Sequence, residues 1–321
     1  MKKIVLSAFA ALTLSAGAAL AADMPVKAVR APAPPPAWDL AFGSAIMNDY
    51  IFRGITQSNH KASVAAYFEP RYNVNPNLQL YLGVSGESIS FPNRPAAEID
   101  IYGGIRPTFG KLALDMGVWY YWYPGGQCFN TPALCSSLGG GNFQFASLPN
   151  TNVVKADMSF WEFYFKPTWS VTDAFTLGGS LFYSPSVMNS GARGFYYSGN
   201  AKYAFPALAN GVQLYTSGEL GYWNLGTTDA FYAVGGYPGG IPFKSYTTWN
   251  VGLGWTYKVF TVDLRYSDTN LSKGDCNAFT SDHTASGVAI TPINPGPGSN
   301  WCGAAFTAKL SADLTVNSNL K

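Results

Sequence analysis

Two histidines, four cysteines and a regular placement of charge are the residues of this 321-residue sequence that could do chemistry. A histidine activates a hydroxyl or a water when a carboxylate orients it. Asp49 with His60, and Asp282 with His283, could each be drawn as such a dyad. Both histidines fall in long polar gaps, and neither lies on a periodic segment beside an alternating Ser or Asp. Surface-loop histidines are therefore the stronger reading, and no catalytic residue is expected. The sequence shows no metal-ligand cluster and no phosphate-cradling glycine motif, so neither a metal nor a cofactor is expected. Cys128 and Cys135 share one gap, Cys276 and Cys302 another. Pairing within each gap would staple two loops in an oxidising compartment, and pairing between gaps is the alternative.

The charges are more telling, because they recur at every second position inside apolar runs. In the segment 111–123, KLALDMGVWYYWY, Leu112, Leu114, Met116, Val118, Tyr120 and Trp122 share one parity, while Lys111, Asp115 and Gly117 share the other. Successive strand side chains point to opposite faces, so this segment reads as a strand with one apolar face ending in aromatic rings. Similar runs occupy 39–51, 63–72, 78–88, 98–109, 159–170, 175–184, 194–205, 212–225, 246–258, 261–268 and 305–316. The polar parity carries Asp49 and Arg53 at the first strand's end, then Glu69, Arg71, Glu98, Asp100, Arg106 and Asp115. Glu162, Lys166, Lys202, Glu219, Lys258, Asp263, Arg265 and Lys309 continue it, and Asp39 and Asp313 share it.

So many inward ions need either water or a salt-bridge network. The expected architecture is an all-β, antiparallel, up-and-down transmembrane barrel of about twelve strands, with lipid outside and these charges lining a wet pore. Trp161 and Trp169 lie eight positions apart on one face, as do Trp249 and Tyr257. That is roughly 27 Å along a strand and about 20 Å of depth after tilting, close to the height of a lipid-facing band between aromatic girdles. The gaps alternate in length, those after odd-numbered strands being longer, which assigns the long gaps to the cell exterior and the N- and C-termini to the periplasm. Glycines in GLGW and YGGI sit inside strands and are expected to relieve crowding or bend the wall.

Composition agrees with a barrel and excludes other classes. Only 12% of residues are charged, 16% are aromatic, and the mean hydropathy is +0.03, far from that of a helical membrane protein. Residues 1–22 read as a secretory signal, with Lys2 and Lys3 before an apolar run and a small-residue site at Ala19 and Ala21. Residues 23–37, rich in Pro and Ala, read as a periplasmic linker, and 38–321 as the barrel. Without Lys2 and Lys3, 18 basic residues face 18 acidic ones, and a neutral chain is a poor partner for nucleic acid. The expected partners are outer-membrane lipid and small hydrophilic solutes, and a homo-oligomer is compatible with the plan.

The segment NDYIFRGITQSN, residues 48–59, resembles the signature near the mature N-terminus of the TorF family, porin-like proteobacterial outer-membrane proteins of largely unassigned substrate. The resemblance covers this motif and the strand plan. It implies an outer-membrane porin-like barrel and brings no catalytic residues with it. Within the motif Asp49 and Arg53 fall on the inward parity, so a pair between them at the outer mouth is expected. The functional expectation is passive diffusion of small hydrophilic solutes through a mixed-charge lumen in a Gram-negative outer membrane. The alternative is a closed barrel whose disulfide-stapled loops serve a structural or surface-recognition role.

Overall fold

A computed structural model describes residues 36–139, 143–145 and 147–320; the expected signal segment and nearly all of the linker lie outside them. The wall consists of β1 (Trp38–Met47), β2 (Ser63–Asn75), β3 (Leu78–Glu87), β4 (Glu98–Phe109), β5 (Leu112–Trp122) and β6 (Phe160–Ser170). It continues with β7 (Phe175–Ser184), β8 (Gly194–Ala204), β9 (Gln213–Leu225), β10 (Tyr246–Tyr257), β11 (Phe260–Thr269) and β12 (Ala305–Thr315). Each strand pairs with its neighbours in the chain, and β1 pairs antiparallel with β12, closing a 12-strand barrel. The expected fold class is thus found. The first strand is shorter than the sequence suggests, ending at Met47 instead of continuing to 51, because the chain leaves the wall at Asn48 and turns inward.

Parity sets which side of the wall each residue occupies. Across β10 and β11, Val251 faces Tyr266, Leu253 faces Leu264 and Trp255 faces Val262, forming an apolar exterior ladder. Leu82, Leu220 and Val251 are 60%, 62% and 56% exposed, where a soluble sandwich would bury them. Outward aromatic pairs mark the ends of this band, Trp38 with Tyr72 and Tyr203 with Phe205 on the short-connection side, Trp161 with Phe163 and Phe195 with Tyr197 on the other. On the inner face, tyrosines lie flat across glycines of the neighbouring strand: a Cβ on Gly83 would collide with the Tyr102 ring, and one on Gly254 with the Tyr215 ring. In GLGW, at least, the glycine makes room for an inward ring.

Connections 76–77, 110–111, 171–174, 205–212 and 258–259 gather at one end of the barrel, and 48–62, 88–97, 123–159, 185–193, 226–245 and 270–304 at the other. The long connections pack into cores of their own. Phe231, Tyr232, Ile241, Phe279, Ile293 and Trp301 bury themselves on Tyr196, Trp223 and Tyr246 at the strand ends. Phe129, Leu148, Val154 and Met158 form a second cluster beside it. Helix α1 (Lys273–Thr280) starts at Ser272, whose hydroxyl accepts from the Asp275 amide at 3.1 Å, and stops at Ser281 in the left-handed region.

Cys128 bridges Cys135 and Cys276 bridges Cys302, each pair within one connection. The second crosslink spans a sequence separation of 26 and should contribute about 3–4 kcal/mol to loop order by restricting the unfolded loop. Replacing both Cys276 and Cys302 with serine is expected to speed protease nicking within 270–304 by roughly tenfold or more, while the barrel itself stays folded. Gel migration with and without boiling reports the barrel, and unchanged nicking would refute the contribution.

Candidate functional site

The interior divides into a sealed half and an open half. The seal is made by connection 48–62, which leaves β1 and folds into a two-strand hairpin, Ile51–Phe52 against Ile55–Thr56, projecting into the lumen. Its turn, Arg53 and Gly54, has φ of 48° and 80°. Glycine is needed at the second position for that conformation and for space, since a Cβ there would strike Thr248 and Thr269.

Arg53 does not pair with Asp49. Its Nη1 and Nη2 donate to the two oxygens of Glu162 at 2.9 and 2.7 Å, a bidentate pair between residues 109 positions apart. The guanidinium also sits 4.4–4.8 Å from the ring centroids of Phe52, Phe182, Tyr196 and Trp223. Tyr121 donates to Glu162, and the Tyr246 hydroxyl donates to the Arg53 carbonyl at 3.0 Å. Burial opposes the positive charge on Arg53, yet the adjoining Glu162 carboxylate outweighs it and holds its pKa above the ordinary value.

Asp49 ties the base of the hairpin instead. Its carboxylate accepts from Thr56 and Ser58 and lies 2.8 Å from His60 Nδ1. His60 Nε2 faces the Asn300 carbonyl oxygen at 3.2 Å. Asp49 and His60 therefore meet, but both ring nitrogens are engaged and neither faces a hydroxyl nucleophile. Asp282 accepts from Thr284 and Ser299, while His283 packs edge-on to Trp301, and burial lowers its pKa.

Two charged networks face the rest of the interior. On one side Glu69 accepts from Arg71 and Arg106 at 2.6 and 2.8 Å, Arg106 reaches Asp115, and Asp115 lies 3.6 Å from Lys166 Nζ. Tyr81 donates to Asp115 and meets Tyr164. On the other side Arg265 donates to Asp263, Asn250 and Ser217, and Tyr215 donates to Asp263 at 2.9 Å. Glu219 accepts from Tyr196 beneath the plug. Between these walls lies a cavity of about 710 Å³, lined by Asp100, Lys202, Asp263, Lys309 and Asp313 together with Tyr67, Tyr102 and Tyr215. Lys258, expected on a strand face, sits in the β10–β11 turn at the cavity rim, and Lys111 sits in the β4–β5 turn, donating to the Val171 carbonyl.

At the junction of plug and cavity, Glu98 accepts from the hydroxyls of Tyr50 and Tyr123 at 2.8 and 2.9 Å. Burial, reinforced by the Glu98 charge, holds both phenols well above their ordinary pKa. Glu87, at the end of β3, belongs to this group; it was missed although it shares the inward parity of Tyr81 and Ser85. The inward tyrosines were also missed, and their signal was available: they occupy the same parity as the charged residues.

No curated protein matches the chain. Among solved structures it is similar to the KdgM porin (8% identity, covering 85% of this chain and 98% of that one, TM-score 0.42). It is also similar to the NanC porin (8% identity, 87% and 100%, TM-score 0.39) and to the COG4313 outer membrane channel from Pseudomonas putida F1 (8%, 88% and 96%, TM-score 0.41). The likeness of 48–59 to the TorF family stays a resemblance. Residues 31–291 match the model of a family described as bacterial protein of unknown function, Gcw_chp, and the chain belongs to that family.

Proposed function

We propose that the protein is an outer-membrane channel for passive diffusion of small hydrophilic solutes, closed at rest by its own first long connection. The observation that carries this reading is the water-accessible cavity of about 710 Å³, lined by both signs of charge and by tyrosine hydroxyls, inside a wall whose outside is apolar. A structural barrel has no need of such a volume and would fill it with side chains. Lipid surrounds the exterior band, the short connections and both chain termini face the periplasm, and the disulfide-bridged connections face outward. Solutes small enough for the cavity would pass once the 48–62 hairpin swings aside, guided by hydroxyls and paired charges with weak preference for ionic sign.

One observation favours the rival reading of a closed barrel with stapled surface loops: the buried core formed by the long connections over the lumen. Liposome swelling with sugars and amino acids of graded size separates the two. Influx that falls with solute size is expected. No influx from either the native protein or a variant with the hairpin released would defeat the channel reading and leave the closed barrel.

A further inference from the structure

Three carboxylates at the plug's edge lack a counter-charge. Glu87 pairs across the β3–β4 ladder with Glu98, and Ser85 with Asp100, so the acidic side chains converge on one inward patch. One oxygen from each of Glu87, Glu98 and Asp100 lies within 4.8 Å of the others. Glu98 and Asp100 are 2% and 4% exposed, and among the described residues none of the three forms an ion pair. Ser85 donates to Asp100 Oδ2 at 3.2 Å and the Trp119 indole N–H approaches the Asp100 carboxylate, but among the described residues Asp100 Oδ1 and Glu87 Oε2 are buried without a partner in full hydrogen-bond geometry. Buried carboxylate oxygens are almost always partnered, and three such groups, when ionised together, repel one another by several kcal/mol until protons or a cation neutralise them.

We propose that Glu87, Glu98 and Asp100 bind a divalent cation of calcium size. Two oxygens on one ion are at most twice the metal–oxygen distance apart, about 4.6–5.2 Å for calcium and about 4.0–4.2 Å for magnesium. A spread of no more than 4.8 Å falls inside the calcium limit and passes the magnesium limit only at its upper end. Each Glu98 oxygen accepts one tyrosine hydroxyl and keeps a second lone pair for the metal, so Tyr50 and Tyr123 orient it from behind. Glu87 and Asp100 line the lumen cavity, which supplies an entry path and room for the waters that complete a calcium shell. Because Tyr50 belongs to the 48–62 connection, the ion would tie the base of the plug to the β3–β4 wall. The site is independent of the channel reading, since a closed barrel could hold it equally well.

Terbium replaces calcium at oxygen sites and emits when excited through nearby aromatic rings, and Tyr50 and Trp119 line the same cavity. The full-length barrel, stripped with chelator in neutral detergent, is titrated with terbium and then with calcium. The expected result is saturable emission at one ion per barrel, displaced by calcium at least tenfold more effectively than by magnesium. Asp100→Asn and Glu87→Gln, each checked for folding by gel migration, should each weaken binding tenfold or more. Absence of a saturable one-to-one signal from the native protein overturns the proposal without recourse to any variant. Emission that survives unchanged in either folded variant overturns it as well.

Discussion

Arg53→Ala is expected to raise the open fraction of single barrels in planar bilayers by about two to three orders of magnitude over the native protein. The estimate follows from what the side chain leaves behind. Breaking a buried ion pair from one side costs roughly 3–5 kcal/mol, and each 1.4 kcal/mol is a factor of ten in a population. The native pair is bidentate, enclosed by four aromatic rings and fixed at a turn that has no other anchor of that strength. Among the described residues, alanine leaves Glu162 with only the Tyr121 hydroxyl, so the closed state loses most of its advantage over one in which water reaches Glu162. Glu162→Gln should open the barrel comparably, by stranding the guanidinium among rings. Because both act on one contact, the double variant should fall well short of the product of the single effects. Arg53→Lys keeps the charge but not the fork, and should lie between native and alanine. Recordings in which folded Arg53→Ala conducts no more than the native protein would remove the hairpin from any gating role.

The parts of this molecule that could be read from its sequence are those fixed by contact with a solvent. Residues 246–257 alternate because one side of β10 meets an apolar medium and the other the lumen, and that periodicity survives without knowledge of any partner. The same holds for the two classes of connection, since a two-residue turn such as 110–111 permits only an adjacent antiparallel strand. The plug was not legible for the opposite reason. Ile51, Phe52 and Ile55 are apolar on both parities, and Ile55 is buried and Phe52 half-buried by rings and loops contributed from β7, β8, β9 and the 270–304 connection. The Arg53–Glu162 contact joins residues 109 positions apart, and parity, which says only that each points inward, cannot choose that partner over the nearby Asp49. Glu87, by contrast, carried a legible signal, because it shares the odd, inward parity of Tyr81 and Ser85 in 78–88, and its pairing with Glu98 places it among the acids.

A positive charge at Leu253 tests the membrane reading from the outside of the wall. Leu253 lies midway between Trp249 and Tyr257 on β10, is 52% exposed, and faces Leu264 on β11. If hydrocarbon covers that point, Leu253→Arg should destabilise the barrel in phospholipid vesicles by about 2–4 kcal/mol and lower its folding yield, because the guanidinium must either desolvate or drag water and headgroups toward the bilayer centre. Ser311→Arg provides the matched comparison. It places the same side chain on the opposite face of the wall, next to Thr261 and beside the cavity, where water is already present. Its cost should stay within about 1 kcal/mol. Reversible unfolding from vesicles measures both, and transfer to detergent should shrink the Leu253→Arg penalty as the rigid apolar slab is replaced by a deformable micelle. Equal costs for the two arginines in vesicles would mean that the apolar face meets something other than lipid, and the barrel would then need a protein partner to cover it.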